Sequence, residues 1–295
     1  MKTAVFEGAA TALVTPMNKD GSVNYDVLKT LVLEQIENGI DALVICGTTG
    51  ESPTLNHEEH VKVIDTAIKA SAGRVPIIAG TGSNDTAYAV TLSKEAEAAG
   101  ADAFLMVTPY YNKTSQHGLV AHYNYIADRV NLPIILYNVP SRTGLNIKPE
   151  TYKELSKHPN IAATKEANGD IEAAKRTREL CGDDLIMYTG NDDQLLDFLK
   201  IGGKGVISVL SNILPRETHN IANSYFSGDI KKAEELMQKY IPLMKALFID
   251  VNPVPVKEAM NMLGKNCGPC RLPLVNMLPE TRGKLEAELK NLGLL

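Results

Sequence analysis

Eight apolar runs of strand length recur along the chain, and an amphipathic stretch of helical length follows each one. The runs cover 9–14, 42–46, 76–80, 103–107, 134–137, 161–165, 185–188 and 205–209. The helical stretches cover 25–38, 57–72, 86–99, 118–129, 149–157, 171–180, 194–201 and 216–226. Near-continuous apolar runs, rather than alternating ones, mark strands buried on both faces. Parallel neighbours need a crossover element between them, and the helices supply it. Eight such units predict an α/β fold, a closed (β/α)8 TIM barrel. The competing architecture is an open doubly wound sheet. It would carry Gly-x-Gly-x-x-Gly after its first strand, and none stands there. After residue 226 the pattern is helical only, over 230–247, 254–263 and 279–292. The expected organisation is a barrel over residues 1–226 and a C-terminal helical extension, 227–295, packed on it.

Local punctuation agrees with this layout. Gly39, Gly73 and Gly100 each follow a helical stretch, where a left-handed residue ends a helix. Asn38-Gly39-Ile40-Asp41-Ala42 and Ala99-Gly100-Ala101-Asp102-Ala103 are near-repeats at two helix-to-strand joins. Composition narrows the function classes. The chain is 44% hydrophobic and 22% charged, with a formal net charge of −5. That balance disfavours nucleic acid or an anionic membrane as partner. No apolar run approaches the roughly 18 residues of a spanning helix. The N-terminus has one Lys and Glu7 then interrupts the apolar residues, which makes a poor signal peptide, so the cytoplasm is expected. Cys267-Gly-Pro-Cys270 spells a redox dithiol but lacks the strand-to-helix context that such a motif needs. Two thiolates are also only half of a zinc set. Neither a metal nor a cofactor is expected.

In a barrel of this kind the chemistry sits at the C-terminal ends of the strands. Those ends are rich in hydroxyls, phenols and tight turns: Thr15-Pro16, Gly47-Thr48-Thr49-Gly50-Glu51-Ser52, Gly80-Thr81-Gly82, Thr108-Pro109-Tyr110-Tyr111, Thr189-Gly190-Asn191-Asp192 and Ile207-Ser208. They lack the carboxylate and histidine groupings of a metal site or a glycosidase. Lys165 ends the sixth run. A lysine there is either solvated or drawn into the barrel mouth, where desolvation disfavours its charge. A neutral amine in a dry pocket can capture a carbonyl as a Schiff base. Tyr137 ends the preceding run and can relay a proton. The Gly47–Gly50 turn can hold a small carboxylate on backbone N–H groups. Arg142 can clamp a second one with its planar fork.

The ordered set Ala12-Leu13-Val14-Thr15-Pro16, Gly47-Thr48-Thr49-Gly50-Glu51, Gly80-Thr81-Gly82, Pro109-Tyr110-Tyr111, Tyr137-Asn138-Val139-Pro140-Ser141-Arg142-Thr143-Gly144, Lys165-Glu166-Ala167, Gly205-Val206-Ile207-Ser208 and Arg271-Leu272-Pro273-Leu274 resembles the dihydrodipicolinate synthase family over essentially the whole chain. That family belongs to the pyruvate-dependent class I aldolases, which include N-acetylneuraminate lyase. The resemblance implies a lyase-class enzyme of lysine and diaminopimelate biosynthesis. It would condense pyruvate with L-aspartate 4-semialdehyde to 4-hydroxy-tetrahydrodipicolinate. It further implies Lys165 as the Schiff-base lysine, with Tyr137, Thr48 and Tyr111 as a proton relay. Tyr111 would come from the neighbouring subunit of a dimer. Thr49 and the carbonyl of Ile207 would hold pyruvate, and Arg142 the semialdehyde carboxylate. The usual assembly is a homotetramer of two dimers.

Two other readings stand beside it. A sibling aldolase or lyase would cleave a 2-keto sugar acid through the same Lys165, but siblings resemble this chain less at Ser141-Arg142-Thr143-Gly144 and usually carry Ser where Thr48 stands. A non-catalytic binding barrel would be suggested by loss of Lys165 or Tyr137, and both are present.

The resemblance also implies a feedback site for lysine, spelled here by Ser52, His57, His60, Asn84 and Tyr110. Pro53 departs from the small residue frequent in regulated members, and Tyr88 stands where they carry a glutamate that pairs with the ligand's α-ammonium. A neutral phenol cannot supply that charge. Losing one charge-assisted contact typically costs ~1.5–3 kcal/mol, so affinity falls roughly ten- to a hundredfold. L-lysine is therefore expected to inhibit weakly or not at all in a curve taken to millimolar levels. Half-inhibition in the low micromolar range would show that another group compensates for Tyr88.

Overall fold

The computed structural model describes residues 2–295. Eight strands run β1 (Gly8–Ala12), β2 (Ala42–Ile45), β3 (Ile77–Gly80), β4 (Ala103–Val107), β5 (Ile134–Asn138), β6 (Ile161–Glu166), β7 (Ile186–Thr189) and β8 (Gly205–Ser208). All pair in parallel, in sequence order, and β1 closes the barrel against β8. The helices are α1 (Tyr25–Glu37), α2 (His57–Ser71), α3 (Thr86–Ala99), α4 (Gln116–Ala127), α5 (Pro140–Thr143), α6 (Pro149–Leu155), α7 (Ile171–Cys181), α8 (Leu195–Lys200), α9 (Pro215–Phe226), α10 (Ile230–Ala246), α11 (Val254–Met262) and α12 (Pro279–Asn291). Among the described residues, no helix is long and apolar enough to cross a membrane.

Strand parity divides the core in two. Ala10, Ala12, Val44, Leu105, Ile135, Tyr137, Ala163, Tyr188 and Ile207 form a cluster inside the barrel. Their neighbours Ala9, Leu43, Ile45, Phe104, Leu136 and Val206 face the helices and join the larger outer cluster. Successive strand residues point to opposite faces, and here both faces are buried. The near-repeats at the helix-to-strand joins have one physical basis. The Asp41 carboxylate accepts from Ala9 N at 2.8 Å, and the Asp102 carboxylate accepts from Ile77 N at 2.7 Å. Each aspartate ties the start of the preceding strand to its own.

Helix starts follow cap chemistry. Asn56 and Glu59 form a reciprocal capping box at α2. Ser115 caps α4 and starts it two residues before the predicted position. The one-turn helix α5, with Pro140 at its first position, is not foreseen by the periodicity, because four residues are too few to show one. β1 ends two residues short of the predicted run: Leu13 N still donates to the Val44 carbonyl at 3.0 Å, but Val14 N turns to Asn212 Oδ1 at 3.1 Å, and both residues stay buried.

The C-terminal helices are fastened to the barrel mouth by a buried ion pair. Lys257 on α11 donates to Glu51 Oε1 at 2.8 Å, to the Pro269 carbonyl at 2.7 Å and to the Thr15 carbonyl at 3.1 Å. Both side chains are at most 2% exposed. Removing one partner of such a pair strands the other charge. Lys257→Met is expected to cost about 3–5 kcal/mol of unfolding free energy by denaturant titration. A loss below about 1 kcal/mol would show that water reaches Glu51 and that the pair does not fasten the helices.

Candidate active site

Lys165 shares the inward parity of Ala163 and lies in register between Tyr137 on β5 and Tyr188 on β7. It is 6% exposed, and its Nζ sits 4.4 Å from the centroid of the Tyr137 ring. A Cβ at position 190 would lie 2.9 Å from Lys165 Cε, so glycine is needed where the aliphatic stem passes the β7 turn. Burial lowers the amine to about 8, with the nearby Asp192 carboxylate opposing that shift and Arg142 adding to it. The Tyr137 phenol is pushed up by burial, while the charge of Arg142 and a hydrogen bond with Thr48 pull it back.

The Gly47–Gly50 turn is built as its composition suggests. Gly50 N donates to the Gly47 carbonyl at 3.0 Å and Glu51 N to the Thr48 carbonyl at 3.1 Å, leaving the Thr48 and Thr49 amides outside the turn's own bonds. Glu51 completes it in the left-handed region, at φ 55°. Thr49 is buried, and its hydroxyl oxygen accepts from Asn252 Nδ2 at 3.0 Å. Arg142 is exposed at the end of α5 and donates to the Asn252 carbonyl at 3.0 Å. A cavity of about 350 Å³ joins Thr48, Val139, Arg142 and Thr143 to Ser52, His60, Tyr88 and Tyr110. Ile207 is fully buried inside the barrel.

Tyr111 stands apart. It is 92% exposed, with φ 66°, a backbone conformation uncommon outside glycine. Two of the residues assigned to a lysine site, His57 and Asn84, do not line the cavity. His57 packs on Tyr88, with Nδ1 at 3.2 Å from the phenol oxygen, and its Nε2 is 3.1 Å from Glu95. Asn84 donates to the Tyr110 carbonyl at 3.4 Å. Glu95 lies two turns beyond Tyr88 on one face of α3, so a carboxylate is present beside the position that lacks one.

Three further residues belong to the site although the sequence assigns them no role. Asp192 is buried and accepts from Val209 N and Leu210 N, both at 3.0 Å, which fixes the turn after Ile207. Glu166 faces the helices behind Lys165. It accepts from Asn138 Nδ2 at 2.9 Å and Tyr152 OH at 2.9 Å, and burial raises it to about 7. Asn252 enters from the C-terminal extension. Asp192 and Glu166 were signalled by their strand-end positions, and Asn252 by nothing local. Cys267 and Cys270 carry free thiols, each pushed up to about 12, chiefly by burial. Among the described residues, no group of three or more His, Cys, Asp or Glu side chains is placed to hold a metal ion.

Comparison with known proteins agrees with this geometry. The model of the Dihydrodipicolinate synthetase family matches residues 5–292. A 4-hydroxy-tetrahydrodipicolinate synthase of Caldicellulosiruptor saccharolyticus is 53% identical over 290 residues, covering 98% of each chain. The dihydrodipicolinate synthase structure from Thermotoga maritima superposes with a TM-score of 0.96 at 44% identity, covering 99% of this chain and 100% of that one. The chloride-inhibited dihydrodipicolinate synthase of Acinetobacter baumannii, solved in complex with pyruvate, has a TM-score of 0.96 at 41% identity, with 98% and 99% covered. A barrel whose sixth strand presents a buried lysine beneath a tyrosine, matched from end to end by these relatives, belongs to the dihydrodipicolinate synthase family.

Proposed function

We propose that this chain condenses pyruvate with L-aspartate 4-semialdehyde to 4-hydroxy-tetrahydrodipicolinate, with Lys165 as the Schiff-base residue. The single observation that carries the residue assignment is the buried Lys165 amine, lowered to about 8 and set 4.4 Å from the Tyr137 ring centroid. The neutral amine attacks C2 of pyruvate. The carbinolamine then loses water to give the imine, with the proton delivered through Tyr137 and Thr48. Loss of a methyl proton gives the enamine, whose carbon attacks the aldehyde. The aldehyde oxygen takes up a proton and becomes the 4-hydroxyl. The α-amine of the second substrate then adds to the imine carbon and displaces Lys165, closing the ring. One water leaves in all, and the lysine is returned.

Thr49 and the Ile207 carbonyl hold the pyruvate carboxylate in this reading. Arg142, exposed at the cavity entrance, takes the carboxylate of the semialdehyde. Support for a partner role of Tyr111 comes from its 92% exposure and left-handed backbone, which turn a phenol away from its own chain. The enzyme then works in the cytoplasm as a homotetramer in which each dimer exchanges Tyr111. Glu95, beside Tyr88 on α3, is the carboxylate available to the ammonium of a bound lysine.

The lysine's lowered pKa has a direct kinetic consequence. Below about pH 8 the reactive fraction grows about tenfold per pH unit, so kcat/KM for pyruvate should climb with that slope and level off above it. Borohydride with pyruvate should add one reduced pyruvyl group to the wild type and none to Lys165→Ala. A flat profile between pH 6.5 and 9, or labelling of the alanine variant, would remove Lys165 from the role.

The relay across subunits can be read by complementation. Tyr111→Phe should lower kcat on the order of a hundredfold, the low end for a lost proton-transfer group. Co-refolding Tyr111→Phe with Lys165→Ala subunits should restore about a quarter of wild-type activity, because half of random dimers are mixed and each has one intact site. Mixtures no more active than their parents would confine Tyr111 to its own chain.

A further inference from the structure

We infer that Asn252, in the segment leading into α11, is a positioning residue for pyruvate that acts through the Thr49 hydroxyl. Asn252 is 6% exposed, and its Nδ2 donates to Thr49 Oγ1 at 3.0 Å. Its Oδ1 is buried with no hydrogen-bond partner among the described residues. Buried polar groups are as a rule fully bonded, so an amide half satisfied is costly to keep for packing alone. Its position has a directional consequence. A hydroxyl has one proton and two acceptor lobes. When the amide N–H fills an acceptor lobe of Thr49, the hydroxyl proton is left to donate. A carboxylate, which only accepts, is the ligand that such a donor suits.

A second tie holds the distance. Lys257, five residues on, is locked to Glu51, two residues beyond Thr49. The start of α11 therefore grips the turn at both Thr49 and Glu51. Asn252 also bonds Arg142, but through its backbone carbonyl, which every substitution retains. The side chain thus serves the pyruvate end of the site and the backbone serves the aldehyde end.

This role rests on Thr49 holding the pyruvate carboxylate, and the test separates the two. Pyruvate KM, aldehyde KM and kcat are measured for Asn252→Leu, Asn252→Asp, Thr49→Val and the Asn252→Leu/Thr49→Val double variant in the intact enzyme. Asn252→Leu, similar in shape and without a donor, should raise pyruvate KM about tenfold and leave aldehyde KM within about twofold. The double variant should be no worse for pyruvate than Thr49→Val alone, because both remove the same contact. Asn252→Asp should raise pyruvate KM at least as much as leucine does, since its carboxylate accepts the Thr49 proton and repels the ligand. It also keeps a polar group at the position should the leucine variant not fold. Multiplying defects in the double variant, or a normal pyruvate KM in Asn252→Asp, would overturn the inference. An impaired Thr49→Val beside an unaffected Asn252→Leu would overturn it alone. An unaffected Thr49→Val would overturn the pyruvate role of Thr49 as well.

Discussion

Closing a parallel sheet into a barrel makes strand parity decisive, because every second residue must enter an interior too small for water and charge. Lys165 and Glu166 are adjacent in sequence, yet parity sends one into the mouth and the other into the helix layer. Both are buried, and burial moves them in opposite directions, the amine down to about 8 and the carboxyl up to about 7. Each shift means that the fold disfavours the charged form, so at neutral pH each group lowers stability where the unfolded chain would be charged. The barrel thus accepts local destabilisation in holding a buried amine and a tightly bonded carboxyl at adjacent positions on opposite faces of one strand.

The C-terminal helices are more than a cover. Asn252, Lys257 and Arg271 all touch the segment from Thr49 to Glu59. The Arg271 guanidinium pairs with the Glu59 carboxylate and donates to the carbonyls of Thr54 and Gly21, while its backbone N–H donates to Glu51. The turn after β2 is therefore fixed from both ends by residues more than 200 positions away in sequence. An appendix in the sequence pattern is a wall of the site in three dimensions.

What was legible in the sequence and what was not divides along contact range. Strands buried on both faces read as apolar runs, helix caps are local, and the aspartates of the Asn38–Ala42 and Ala99–Ala103 repeats mark real ties. Lys165 and Tyr137 were visible because a strand end is itself a local feature, and the family resemblance supplied roles for Thr48, Thr49, Arg142 and Tyr111. The pairing of Asn252 with Thr49 had no sequence signal, since the two are 203 residues apart and neither belongs to a periodic pattern at that separation. Glu95 was hidden for a related reason. Its spacing from Tyr88 is helical, but its meeting with His57 depends on how α3 packs beside α2.

The two ends of the chain set different properties of one lysine. Phe6, before β1, stacks on Tyr188 with ring centroids 4.3 Å apart, and the Tyr188 hydroxyl donates to the Phe6 carbonyl at 2.8 Å. That pair belongs to the inner cluster, and Tyr188 is in register with Lys165. The dryness that lowers the amine is thus set by the N-terminal segment and the strands. The hydroxyls and amides that line the mouth beside it are set by the turns and by the C-terminal segment. An amine can be made reactive by burial alone, but a buried amine without ordered donors would capture carbonyls and release them without direction. The barrel supplies the first condition eight strands deep, and the long-range ties at Thr49, Glu51 and Arg142 supply the second.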